Sequence, residues 1–441
     1  MLSAETPLYF STDGSELSHI VSTHRPELEG FYHGMYKYLH GMPELSFQEE
    51  KTAKYLAGQL KKLSSEIDVH NNIGGHGLVG VFKNGDGQTV LLRAEMDGLP
   101  VLEATGLTYA STAKQTDVSS GEEKPVMAAC GHDLHMTALL AATELLISAR
   151  EIWSGTLIVL FQPAEERGAG AQAMVDDDLY ARIRFVPDVV LGGHVIAQRA
   201  GRLSTTRGLA ASSADSMRVT MFGRGGHASQ PHLTVDPVLM AAHTVVRLQG
   251  IVSREIGPLE PAVVTVAAIN AGNAENVIPD RAELKINVRA FSENTRTRSL
   301  DAIERIVHAE AAASGAPLDP VIEITSSFPL TINSDNVTQA LEPSFAAHFG
   351  GDYDSEGGRL PGSEDFSILA TSVGAPSCFW VYGGVDHHSW DSAEQKGRIA
   401  EDIPGNHSPF FAPVIDPTMT TAVDAYAIAA LTFLHNKQPE Q

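Results

Sequence analysis

Within Ala128-Ala129-Cys130-Gly131-His132-Asp133-Leu134-His135, one thiol, two imidazoles and a carboxylate are packed where a loop opens a helix. Cys130 and His132, two residues apart, can both reach one metal region, and their donor types suit zinc or another late divalent cation. A buried cysteine beside a satisfied surface histidine is the ordinary alternative. His135 reads as a supporting or helix-surface residue before a ligand. Phe161-Gln162-Pro163-Ala164-Glu165-Glu166 follows an apolar strand, so paired carboxylates emerge where a parallel sheet presents its ligands. A cation relieves their repulsion, and hydrolysis needs both a ligand and a base: one Glu can bind the metal while its neighbour takes a proton from water. A solvated helix start that uses Glu to complement the dipole explains the pair equally well in isolation. His194 ends the apolar run Val189-Val190-Leu191-Gly192-Gly193, and His407 lies in Pro404-Gly405-Asn406-His407-Ser408-Pro409. Each, taken alone, is more simply a structural or loop histidine, so their weight comes from company.

These residues need elements to hold them. Helical spacing runs from Leu28 to Leu63, broken at Gly41 to Ser46, which predicts two helices around a loop. Leu78 to Phe82, Thr89 to Arg93, Thr156 to Gln162 and Val186 to Gly193 read as strands, and His132 to Ala149 as a helix. Strands alternating with helices predict an α/β fold with a largely parallel mixed sheet flanked by helices. Near Gly208 the texture changes to strand (Ser216 to Phe222), helix (Pro237 to Ile251), strand (Ala262 to Ile269), strand (Ala282 to Ala290), helix (Thr297 to Ala313) and strand (Val321 to Thr325). That is the order of an α+β, ferredoxin-like domain. The expected organisation is a discontinuous catalytic domain, residues 1–208 and 328–441, with residues 209–327 inserted into it. The segment up to about His24 has no clear period and stays unassigned.

Bulk composition narrows the function classes. The 441 residues are 43% hydrophobic and 19% charged, which are globular values for two domains. A formal net charge of -23 excludes a nucleic-acid binder that works through a basic face, so an anionic substrate must be met by a local Arg or Lys. Two cysteines, Cys130 and Cys378, fit a reducing compartment rather than a disulfide scaffold. Neither a signal peptide nor a membrane-spanning run is read, and a cytoplasmic enzyme is the expectation.

Taken in order, nine motifs resemble the M20 metallopeptidase family, in its aminoacylase, hippurate hydrolase and auxin-conjugate hydrolase branch. They are Leu39-His40 with Pro43-Glu44-Leu45, Arg93 to Pro100 (RAEMDGLP), Cys130-Gly131-His132-Asp133, Gln162 to Glu166, Gly192-Gly193-His194, Gly225-Gly226-His227-Ala228, Asn276 to Pro279, Ser363 to Phe366 and His407-Ser408-Pro409. The resemblance runs from about Leu28 to the C-terminus. It implies a centre of two divalent metal ions, zinc favoured with manganese or cobalt open, held by Cys130, His132, Glu166, His194 and His407, with Glu165 as general base. It also implies that the inserted domain is a lid and dimerisation module. His227 would then stabilise the oxyanion in the active site of a partner copy, while Asn276 and Arg289 hold the substrate carboxylate. Two positions depart from the pattern. Glu95 stands where the branch commonly has Asp, and Asp386 to Ile403 looks like an insertion before His407, most simply a decorated surface loop.

The activity so implied is hydrolysis of the amide bond of N-acyl amino acids to a carboxylic acid and a free amino acid. The same centre suits a dipeptidase or an enzyme running in reverse as an N-acyl amino acid synthase. A catalytically silent, metal-bound scaffold is the reading from another class, and the retention of every ligand and of the base speaks against it.

Overall fold

A computed structural model describes residues 14–435, which form two compact units. The first unit takes the chain up to Ala210, then Ile332–Gly358 and the chain from Asp365 onward. Its eight-stranded sheet runs in the order Asp68–Ile73, Gly77–Asn84, Gly155–Gln162, Thr89–Glu95, Val189–Arg199, Ser377–Val385, Leu203–Ser204, Tyr353–Asp354. The four strands from Gly155–Gln162 to Ser377–Val385 are mutually parallel, and the first two strands run antiparallel at one edge.

The parallel strands have apolar central runs, such as Val90 to Leu92 and Leu157 to Phe161, because both of their faces are covered there. In Gly155–Gln162 every residue is buried. Leu157, Val159 and Phe161 enter one core with helices Phe31–His40, His132–Ser148 and Thr418–Leu434. Ile158 and Leu160 enter the other, beneath Gly170–Asp176 and Ser367–Thr371. Parallel register sets Glu95 opposite Gln162 and Arg93 opposite Gly192, so Glu95 and Gln162 end their strands side by side; the strand expected to stop at Gly193 instead runs from Val189 to Arg199, and His194 lies within it opposite Val381.

The second unit is Ala211–Thr331 with Arg359–Glu364. Its main sheet has four antiparallel strands, in the order Ala262–Ala271, Arg281–Ala290, Ser213–Phe222, Val321–Phe328, and Gly226–His227 pairs separately with Val277–Ile278. Helices Pro237–Gly250 and Glu293–Ala313 pack on one face, where Val219, Leu284, Ile286 and Val288 meet Met240, Leu248, Ile303 and Val307. Both helices carry an N-cap of the expected type. Asp236 accepts the Val238 N–H at 2.8 Å ahead of Pro237 at the first helical position, and Ser292 accepts the Thr295 N–H at 3.2 Å.

Three details differ from the sequence reading. The unit boundaries fall at 210/211 and 331/332, and residues 359–364 join the second unit, where Ser212 N–H donates to the Leu360 and Gly362 carbonyls. The unassigned opening segment contains the helix Gly14–His24, whose Leu17, Ile20 and Val21 are core residues; residues before Gly14 lie outside the described range. The stretch Asp386 to Ile403 is not a loop but two short helices, His387–Gln395 and Ile399–Asp402. Trp390 is buried, Asp391 pairs with Arg199 at 2.8 Å, and His387 Nε2 donates to the Ala200 carbonyl, which fastens the first of these helices to the end of Val189–Arg199.

Candidate metal centre

The Cys130 segment turns into helix His132–Ser148 through Gly131, at φ 89°. A Cβ there would stand 2.3 Å from Val195 Cγ1, so this turn requires glycine twice over. The turn brings Cys130 and His132 to the end of strand Gly155–Gln162, past which Glu165 and Glu166 lie, and to His194 within strand Val189–Arg199. Cys130 Sγ lies 3.4 Å from His194 Nε2 and 3.3 Å from His407 Nε2. His407 Nε2 lies 3.4 Å from Glu166 Oε1, and His132 Nε2 lies 3.9 Å from Glu165 Oε2 and 4.0 Å from Glu166 Oε1. All six residues singled out in the sequence therefore meet in one cluster. The His407 side chain is 54% exposed while those of His132 and Glu166 are 1% and 9% exposed, so the cluster opens to solvent on the His407 side.

Two observations fit this cluster to metal. His132 Nε2 and Glu166 Oε1 are buried without a hydrogen-bond partner, which native proteins rarely tolerate unless something else occupies the space. Burial pushes the Cys130 thiol well up, and Glu166 and Glu165 push it further, so a thiolate here requires a neighbouring cation. The histidines are set in the ligating tautomer. His132 Nδ1 donates to the Asp97 carbonyl at 2.8 Å and His194 Nδ1 to the Val195 carbonyl at 2.7 Å, so in the neutral ring each Nε2 lone pair faces the cluster; without metal, burial would lower the His132 pKa but Asp97 and Glu95 raise it to about 10, so a bound cation displaces a proton there.

His135 is close by, but both of its nitrogens are engaged. Nε2 accepts the Val195 N–H at 2.9 Å, so Nδ1 carries the proton and donates to Glu95 Oε2 at 2.8 Å. It supports the neighbour of His194 rather than binding metal. Glu95 has its other oxygen on Arg93; burial would raise its carboxyl, yet Arg93 and His135 hold it well below the usual range. The longer side chain is thus absorbed in a buried network in which Arg93 also reaches Gln162 Oε1 at 2.9 Å and Asp365 Oδ1 at 3.2 Å.

Several supporting residues escaped the sequence reading. The Asp97 carboxylate accepts the N–H groups of Glu165 (3.2 Å) and Glu166 (3.0 Å) and the Ser46 hydroxyl (2.7 Å). Glu49 accepts the Ala164 N–H at 2.8 Å, in a turn where Ala164 takes φ 48°. Asn406 donates to the Val195 carbonyl at 3.0 Å and His407 N–H to Ala129 O at 2.8 Å, which seats the His407 loop. Asp97 stood in the quoted RAEMDGLP motif, just past a buried strand end, and Asn406 beside His407, but neither was given a role; Glu49 carried no signal beyond its neighbours.

Three predicted residues belong to the second unit. His227 is exposed on a two-residue strand paired with Val277–Ile278, beside Asn276, whose carbonyl accepts the Ala228 N–H at 3.1 Å. His227 Nδ1 accepts from the Ser229 N–H at 3.1 Å, so the neutral ring carries its proton on Nε2. Half-buried Arg289 donates to the Pro361 carbonyl and to Ser363 Oγ, both at 3.0 Å.

The model of peptidase family M20/M25/M40 matches residues 91–399. The chain belongs to this family. It is 37% identical over 349 residues to hippurate hydrolase of Campylobacter jejuni, covering 78% of this chain and 86% of that protein. It is 32% identical over 412 residues to thermostable carboxypeptidase 2 of Saccharolobus solfataricus, covering 92% and 96% respectively. Among solved structures it is similar to Bacillus subtilis YXEP, a dinuclear metal-binding peptidase of the M20 family, with TM-score 0.69, 26% identity, and 91% and 97% of the two chains covered. This M20 protein is a hydrolase acting on amide bonds, of the amidohydrolase branch. Among the described residues no helix is long and apolar enough to cross a membrane.

Proposed function

We propose that this M20 protein hydrolyses N-acyl amino acids at a centre of two divalent metal ions held by Cys130, His132, Glu166, His194 and His407. The observation that carries the reading is the convergence of these donors around the unpartnered His132 Nε2 and Glu166 Oε1. Bound cations supply a polarised acyl carbonyl and a more acidic water. The thiolate favours zinc, and the nitrogen and oxygen donors admit manganese or cobalt.

Glu165 is the general base: its carboxylate takes the proton of the attacking water and returns it to the amide nitrogen as the C–N bond breaks. Its backbone N–H is held by Asp97, which fixes the turn that carries the carboxylate before substrate arrives. His227, exposed and with its proton on Nε2, donates to the oxyanion in the site of a partner copy, and Asn276 and Arg289 hold the carboxylate of the amino acid part. Dimerisation through the second unit is supported by its edge strand Ala262–Ala271, which exposes Val263 and Ile269, and by exposed Val238, Leu239 and Val246 on helix Pro237–Gly250. Two free buried cysteines suit a reducing, cytoplasmic setting.

The test is metal content together with product release. Wild type with zinc, manganese or cobalt is expected to free amino acid from acetyl, aromatic-acyl or long-chain acyl amino acids, and Glu165→Gln to keep its metal while losing most turnover. A fully active Glu165→Gln protein rejects the base assignment. The relationship to a carboxypeptidase keeps a second reading open, cleavage of dipeptides at the same centre. Dipeptides assayed beside the acylated substrates decide between the two.

A further inference from the structure

His40 ends the helix Phe31–His40 and is completely buried, ringed by Tyr36 and Tyr109 at 5.8 and 5.2 Å between ring centres. Its Nδ1 lies 2.7 Å from Asp133 Oδ2 and its Nε2 lies 3.0 Å from Glu103 Oε1. Both carboxylates are acceptors when ionised, so satisfying both requires a proton on each ring nitrogen. Asp133 follows the proposed ligand His132 in the first turn of helix His132–Ser148. Glu103 Oε2 accepts the Ser111 N–H at 2.6 Å, and the next residue, Ala104, donates its N–H to the Pro409 carbonyl at 2.8 Å. Pro409 lies two residues beyond His407, in the same loop.

We propose that His40 is a positioning residue for the metal centre: a cationic clamp that ties the helix start bearing His132 to the loop that secures His407. The inference rests on the proposed ligand set. A buried run of three charges is a poor source of net stability compared with apolar packing. What this one does supply is a fixed distance between the helix start that carries His132 and the Glu103-Ala104 segment, which in turn holds the His407 loop through the Pro409 carbonyl. His40 itself cannot ligate, since both nitrogens are occupied. Removing it leaves Asp133 and Glu103 only their local partners, Leu134 N–H for the one and Ser111 N–H with the Thr105 hydroxyl for the other, and the His132 and His407 donors lose their common reference.

The experiment uses the full chain, stripped of metal and titrated with zinc against a competing chelator, with kcat and KM then measured at saturating zinc. His40→Ala is expected to weaken zinc binding by about 10–100-fold while the protein remains folded by circular dichroism, and to lower kcat more than it changes KM. Glu103→Gln keeps the size of the side chain and removes one charge; its loss of affinity has the same direction and is smaller. The double variant is expected to bind no more weakly than His40→Ala. A role confined to stability would shift thermal unfolding and leave zinc affinity unchanged in folded protein, and that result overturns the clamp. If His40→Ala does not fold, wild-type affinity in Glu103→Gln overturns it equally. A wild-type protein that binds no zinc, manganese or cobalt would reject the metal centre itself, which is a distinguishable failure.

Discussion

His132 and His194 in the first unit each commit Nδ1 to a backbone carbonyl and present Nε2 to a shared buried space, whereas His227 in the second unit is exposed and held by its neighbour Ser229. The turn bearing Glu165 and Glu166 has three successive N–H groups anchored on the buried carboxylates of Glu49 and Asp97. Arg289 is held by the Pro361 carbonyl and Ser363 Oγ, and Asn276 by its backbone bond to Ala228; among the described residues no buried charge anchors either. The first set is organised before anything binds, as a metal cluster needs, because misplaced donors lose affinity steeply. The second set sits on strand ends and surface turns, suited to residues that engage a substrate or another copy.

That contrast can be broken experimentally, starting with the largest effect. Arg93→Leu leaves Glu95 and Asp365 buried without their cation, and is expected to destabilise the first unit by about 3–5 kcal/mol. Urea unfolding measures it, and a change below about 1 kcal/mol would show that the network is not held by charge. His227→Ala is expected to leave urea stability and metal content untouched while lowering kcat by about 10²–10³-fold, the usual loss for an oxyanion donor. A coincident fall in metal content would move His227 into the first class.

The pH dependence of stability separates the two regions further. Burial alone would lower the His40 pKa, but Asp133 and Glu103 raise it to about 10. A raised folded pKa means the native state keeps a proton that the unfolded chain releases near its reference value of about 6.5. The stability from this group is therefore fully present below about pH 6.5 and is lost as pH rises through about 10. Urea midpoints across that window should fall in wild type and fall less in His40→Ala; parallel curves would show that His40 stays neutral. The smallest effect belongs to the second unit, where Asp236→Ala removes a helix N-cap and should lower stability by about 1 kcal/mol with no change in turnover of the metal-loaded enzyme.

Much of the fold is legible along the chain because each layer writes its own period. Strands such as Gly155–Gln162, buried at every position and apolar from Leu157 to Phe161, are those covered on both faces, while the alternating burial of Arg281–Ala290 marks a sheet covered on one. The opening helix Gly14–His24 was missed because its few buried residues leave a weak signal, and Asp386 to Ile403 because charged residues hide the Trp390 anchor.

The chemistry divides in the same way. By itself the sequence determined which donor types exist and their order, since a thiol, imidazoles and paired carboxylates are local facts, and it carried the resemblance to the M20 family. Only the tertiary structure decided which nitrogens are free. His132 and His135 stand three residues apart on one helix, yet Val195 and Glu95 engage both nitrogens of His135, while Asp97 leaves His132 Nε2 open. It also assigned Asp97, Glu49 and His40 their supporting places, because a hydrogen bond between residues tens or hundreds of positions apart exists only once the sheet edge has brought them together.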